Sequence, residues 1–250
     1  NLGDFGNGTE VIEGQRPKKE ALFIDLIREL DKLEGIERFR ISSIEPNLCT
    51  NEVVEFVAGS RRFAPHFHMP LQSGNDKQLV AMRRRYKRGL YADRVAYIKE
   101  LMPHCCIGVD LIVGFPGETS EDFLETHRFV QEELDVSYLH VFTYSERPNT
   151  KAVSMDGVVP LQERRKRNDM LSILSEKKRR CFYNQHLGQM RPVLLEKGKN
   201  PGFLTGFTDN YVKVEVELED TWINHVVDMD LTEITAEGVV KAKLPVRAIL

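Results

Sequence analysis

A chain of 250 residues with 41% hydrophobic and 29% charged side chains has room for one large domain, or for one medium and one small, and the make-up of a soluble globular protein. It has no apolar run of membrane-span length and no secretory signal. Its four cysteines (Cys49, Cys105, Cys106 and Cys181) show neither disulfide-framework density nor CxxC spacing, so a cytoplasmic protein with no membrane contact is expected. The formal net charge of −3 gives no global argument for nucleic acid, and residues 188–250 are acidic, with seven Lys or Arg against ten Asp or Glu.

The chain opens on Asn1, without a methionine, in what reads as the loop after a strand, NLGDFGNG. The spacing predicts a helix from Lys18 to Leu33, with Leu22, Leu26, Ile27, Leu30 and Leu33 on one stripe and Gly35 as its stop. FRISSI at 39–44 reads as a strand, and Thr50 opens a helix carrying Val53, Phe56 and Val57. HFHMPL at 66–71 is the next strand, followed by a short helix capped by Asn75 or Asp76. A helix over 91–102 sets Val95, Ile98 and Leu101 on its apolar stripe.

Val109 to Thr119, VDLIVGFPGET, is the most informative stretch. An apolar strand interrupted by Asp110 stops at Gly114, and a helix starts within a capping pattern at Thr119 to Asp122. Such a strand–turn–helix is how parallel α/β proteins commonly present backbone amides to a ligand. YLHVFT at 138–143 is a further strand, and Pro160 sets up a long charged helix ending near Gly188. This alternation predicts a parallel α/β sheet or barrel over residues 1–187. From Arg191 short alternating segments with Gly and Asn-Asp punctuation predict a small antiparallel β-barrel or sandwich over 188–250.

Several constellations carry chemistry. His66 and His68 share one side of their strand; they either line a crevice or form an HxH metal pair completed by Asp110 and His140, as in a barrel metallohydrolase. Gln72, Ser73 and Gly74 form a polar turn at a strand end, and Arg83, Arg84, Arg85, Lys87 and Arg88 make a dense positive run behind it. That run is either a solvated face or a carboxylate or phosphate site. Glu45 is a turn carboxylate or an acceptor for a ribose or amino group. The loop YSERPNT, with Arg147 its only cation, reads as a surface turn. RRKR at 164–167 and KKRR at 177–180 read as solvated faces within reach of a polyanion. Cys105–Cys106 reads as buried filler, and the cysteine spacing cannot hold an iron–sulfur cluster, which needs three or four thiolates.

Taken in order, NLGDFG, RISSIEP, HFHMPLQSGNDKQLVAMRRRY, GVDLIVGFPGETSEDF and HVFTYSERPNT resemble the radical S-adenosylmethionine methylthiotransferases across nearly all of 1–187. Residues 188–250 resemble the TRAM domain that this family carries for RNA binding. SSIEP, MRRRY and HVFTYSERPNT are most similar to the branch that methylthiolates threonylcarbamoyladenosine beside the tRNA anticodon; sister branches act on another tRNA adenosine or a ribosomal protein. The resemblance implies a partial (βα)6-type barrel with S-adenosylmethionine and a [4Fe–4S] cluster at the strand carboxyl ends. It further implies a second cluster on an amino-terminal domain, tRNA as partner, an external electron donor and a monomeric chain.

Carried over by position, the resemblance sets Ile112, Val113 and Gly114 beside the adenine. Glu45, Gln72 and Ser73 fall near the ribose and methionine, and Arg84 or Arg85 on the carboxylate. It assigns no catalytic residue and no metal ligand in this chain. The family's CxxxCxxC motif, first barrel strand and amino-terminal cluster domain have no match, so the chain as given is expected to be an incomplete, inactive piece with its cluster ligands elsewhere. The competing expectations are a metal-dependent hydrolase and a non-catalytic RNA-binding protein. The acidic terminal segment argues against a tRNA grip by charge alone.

Overall fold

The computed structural model describes residues 22–245, together with Gly3 and Phe5. The rest of the NLGDFG loop and the predicted first turn of the helix from Lys18 lie outside the described residues. The chain divides into two compact units, Asn1–Ser175 and Glu176–Leu250.

The first unit alternates helices and parallel strands: α1 (Phe23–Asp31), α2 (Asn51–Gly59), β1 (His66–His68), α3 (Asp76–Ala81), α4 (Arg88–Leu101), β2 (Cys106–Val113), α5 (Ser120–Arg128) and β3 (Tyr138–Thr143), with α6 (Leu161–Asn184) leading out of it. Caps set the helix starts. Thr50 accepts from the Val53 amide, Asn75 from Gln78, and Thr119 with Asp122 closes the capping box read from the sequence.

The sheet order is β1-β2-β3, all parallel, with His68 opposite Gly108, Gly108 opposite Tyr138, and Asp110 opposite His140. Strand alternation then sorts two faces. Phe67, Ile107, Val109, Leu111, Val113 and Leu139 are buried in the core with residues of α1, α2 and α4. His66, His68, Gly108, Asp110, Ile112, Tyr138, His140 and Phe142 occupy the other face. Gly108 has a packing reason: a Cβ there would lie 2.3 Å from the Tyr138 ring.

Three local expectations change. FRISSI is not a strand: Phe39 forms an isolated parallel bridge to Phe63 and the Ile44 amide donates to His68 O at 3.0 Å, so the segment is tied at its two ends without a ladder between. In α1 the inward residues are Phe23, Ile24 and Ile27, while Leu22 and Leu33 lie beyond the helix ends and are exposed. In α4 the buried stripe runs Tyr91, Val95, Ile98 and on to Met102; Leu101 falls on the other side of that stripe and is exposed.

The second unit is a closed barrel of β4 (Met190–Lys197), β5 (Phe203–Thr208), β6 (Lys213–Glu217), β7 (Val226–Ile234) and β8 (Val240–Lys243), ordered β4-β5-β6-β8-β7. Four pairings are antiparallel as expected; the closing β6–β8 pairing is parallel, Val214 opposite Val240. Val193, Leu195, Leu204, Val214, Met229, Leu231 and Val240 fill it. The last turns of α6 belong to this unit. Lys213 N donates to Tyr183 Oη at 3.2 Å, and buried Asn210 lies 2.9 Å from His186 Nε2.

Candidate functional site at the strand carboxyl ends

A cleft of about 1130 Å³ opens where β1, β2 and β3 end. This is where parallel α/β folds place ligands, because the turns there can carry function while the sheet holds them rigid. Gln72, Arg83, Arg84, Asp110, Ile112, Phe115, Phe142, Tyr144, Arg147 and Lys151 are among the residues lining it.

Two lining residues sit in the left-handed region although neither is glycine: Gln72 at φ 71° and Arg83 at φ 57°. Such backbone persists only where surrounding bonds fix it, and it concentrates at functional sites. Gln72 N donates to Asp110 O at 2.8 Å and its carbonyl accepts from Ile112 N at 2.9 Å, extending the parallel pairing past β1. The Arg83 and Arg84 amides donate to Val80 O and Leu79 O, so the end of α3 aims the arginine run. Tyr86 Oη donates to Pro70 O at 2.9 Å, fastening that run to the end of β1.

The sequence-read candidates separate cleanly. Glu45, Gln72, Arg84 and Ile112 are brought together: Arg84 Nη1 lies 3.6 Å from Glu45 Oε1, both half-buried, and Gln72, Arg84 and Ile112 line the cleft. Arg85 is exposed and does not line it. Val113 lies on the core face of β2. Ser73 is buried, its hydroxyl 3.2 Å from Thr126 Oγ1 and accepting from Asn75 N, so it builds the turn.

Gly114 departs most from expectation. Its amide donates to Glu118 Oε2 at 2.6 Å, and Glu118 in turn is held by Arg167 Nη1 at 2.6 Å. The amides of Gly117 and Glu118 go to Gly157 O and Phe115 O. These donors of the turn are therefore satisfied from within the protein. Burial pushes the Glu118 carboxyl up, against the opposing pull of Gly114 and Arg167.

The arginine run 164–167 is half buried rather than solvated, and this is what the sequence reading missed. Arg164 donates to Val159 O, Tyr144 O and Glu146 Oε1 at 2.6–2.8 Å and stacks over the Tyr144 ring at 5.3 Å. Arg164 and Arg167 are only 4% and 3% exposed. The three-residue spacing on a helix that leaves β3 was the available signal, since it sets both on one face.

On the sheet face below the cleft, His66 Nε2 lies 3.1 Å from Tyr138 Oη, His68 Nε2 lies 2.9 Å from Asp110 Oδ1, and the His68 and His140 rings are 5.4 Å apart. No group of three or more His, Cys, Asp or Glu among the described residues converges as metal ligands. These side chains meet in pairs and are not gathered among the described residues as the ligand set that a metal-dependent hydrolase would use. Burial, assisted by the Arg40 and His68 charges, pulls His66 down to about 3. A base whose folded pKa lies below its unfolded value of about 6.5 gives stability that is full above pH 6.5 and lost as pH falls toward 3. Between pH 7 and 4.5 the His66→Gln variant is therefore expected to gain about 2–3 kcal/mol relative to the parent, read by urea unfolding at each pH; parallel pH profiles would contradict this.

Residues 11–130 match the family model of the Radical SAM superfamily, a stretch containing β1 and β2 of the parallel sheet. That stretch is a radical SAM domain. The chain is homologous to tRNA methylthiotransferases. It is 36% identical over 218 residues to threonylcarbamoyladenosine tRNA methylthiotransferase MtaB of Bacillus subtilis, covering 85% of this chain and 48% of that protein. The namesake of Aquifex aeolicus is 38% identical over 84% of this chain and 50% of its own length. The tRNA-2-methylthio-N(6)-dimethylallyladenosine synthase of Nocardia farcinica is 37% identical over 76% and 38%. The chain thus spans about half the length of the MtaB relatives it matches.

S-adenosylmethionine fits the residues present. The cleft is of small-molecule size, Ile112, Phe115 and Phe142 offer an apolar wall for a base, and Glu45 and Arg84 supply an acceptor and a cation. A [4Fe–4S] cluster does not fit among the described residues. Cys49, Cys105 and Cys106 are buried, with burial pushing Cys49 and Cys106 up to about 12, and Cys181 is exposed.

Proposed function

We propose that this chain supplies the S-adenosylmethionine cleft and an RNA-binding module of a radical SAM tRNA methylthiotransferase whose substrate is threonylcarbamoyladenosine. The observation that carries this reading is the likeness, over 84–85% of the chain, to two enzymes named for that nucleoside. When bound, S-adenosylmethionine and a [4Fe–4S] cluster supply the radical and sulfur chemistry. The chain's own residues bind and orient. Ile112 packs the adenine, Glu45 accepts from the ribose or amino group, Gln72 fixes the end of β1 beside it, and Arg84 takes the carboxylate.

The barrel of the second unit is read as a TRAM-type RNA module. Its support is the stacked Phe207–Tyr211 pair, 4.5 Å between ring centroids and only half-buried, which offers a surface on which a base can stack. Its acidic balance makes stacking rather than bulk charge the source of affinity.

Deleting the gene in its own host and weighing the nucleosides of total tRNA tests the reading. Loss of the 2-methylthio group from threonylcarbamoyladenosine, with dimethylallyladenosine derivatives unchanged, is the expected result. Loss from the dimethylallyl nucleoside instead, or from neither, would overturn it.

A further inference from the structure

The cleft holds more positive charge than its own acids neutralise. Glu45 is taken by Arg84 and Asp110 by His68, whereas Arg83, Arg147 and Lys151 have no carboxylate partner among the described residues. Arg147 and Lys151 come from one turn. The Thr150 amide and hydroxyl both donate to Arg147 O, at 3.3 and 2.8 Å, and Asn149 takes φ 66°, so the chain reverses and both cations line the same cleft. The nearest competing acid, Glu146, is drawn away by Arg164 at 2.6 Å. This turn follows β3, two strand spacings (about 10 Å) across the sheet from the end of β1, where Gln72 stands.

We propose that Arg147 and Lys151 form a carboxylate subsite that reads the substituent on the substrate adenosine; the inference rests on the substrate reading above. A threonylcarbamoyl group ends in a free carboxylate, for which a guanidinium fork and an ammonium on one wall are complementary. A dimethylallyl group is apolar and would desolvate both cations without pairing them, so the same two residues select for one nucleoside and against the other.

The test titrates this chain with N6-threonylcarbamoyladenosine, its methyl ester and N6-dimethylallyladenosine. The acid is expected to bind about tenfold tighter than the ester. In the Arg147→Gln/Lys151→Gln double variant acid and ester bind alike, at the parent's ester affinity and with an unchanged melting temperature, since both side chains are exposed. A preference for the acid that survives in the double variant overturns the subsite and leaves the substrate reading standing. Tightest binding of the dimethylallyl nucleoside overturns the substrate reading itself. Equal binding of acid and ester by the parent, or no binding of either, overturns the subsite. An equal loss of affinity in the double variant for modified and unmodified anticodon stem–loops also does so, by assigning the cations to phosphates.

Discussion

Glu118→Ala is expected to lower the unfolding free energy by about 3 kcal/mol, because it strips a buried guanidinium of its closer and fully buried charge partner and leaves it only the half-buried Glu163, at 3.1 Å. Glu118 and Arg167 have side chains 2% and 4% exposed and meet at 2.6 Å. Neither can recover water when the other is removed. Arg167→Met should cost a similar amount, leaving a buried carboxylate with only the Gly114 amide and so favouring its neutral form. Glu118→Leu/Arg167→Met, which removes both charges and keeps the volume, should cost clearly less than either single change. Urea unfolding of the four proteins reads this. Additive losses would show that the pair is not the unit assumed. The consequence reaches the site, since Glu118 also holds the amide at which β2 ends.

The second large effect is Gly114→Ala, expected to cost about 3 kcal/mol or more. Two penalties add there. At φ +75° an L side chain carries left-handed strain of about 1–2 kcal/mol, and its Cβ would lie 2.3 Å from Arg164 Cγ. Arg164 cannot swing aside cheaply, because its head is bonded to Val159, Tyr144 and Glu146. Gly117→Ala is the control: φ is +81° but the space is open, so only the strain of about 1–2 kcal/mol remains. Equal losses for the two variants would show that contact with Arg164 adds nothing.

Much of this molecule was legible in its sequence where one local signal sufficed. Caps at Thr50, Asn75 and Thr119, the glycine after α6, and the alternating segments of the barrel are local chemistry, and the structure uses them as read. Asp110 was rightly singled out as the polar residue of an apolar strand: it lies on the cleft side and pairs with His68. What local reading could not supply was which donor meets which acceptor from distant parts of the chain. VGFPGE looks like a turn that offers its backbone amides to a ligand, yet a carboxylate four residues on, held by an arginine from α6, takes the Gly114 amide. RRKR looks like a solvated face, yet two of its four members are buried pins. Arg84 and Arg85 are indistinguishable in a run of three; only the end of α3, closed on Leu79 and Val80, turns Arg84 inward and Arg85 out.

That division of the arginines gives the most direct test of the cleft as the S-adenosylmethionine site. Calorimetric titration of the chain with S-adenosylmethionine should show affinity falling about tenfold in Arg84→Gln and changing less than about twofold in Arg85→Gln, with both variants as stable as the parent. Equal losses in the two variants, or a loss confined to Arg85→Gln, would contradict the placement of the ligand at the ends of β1 and β2.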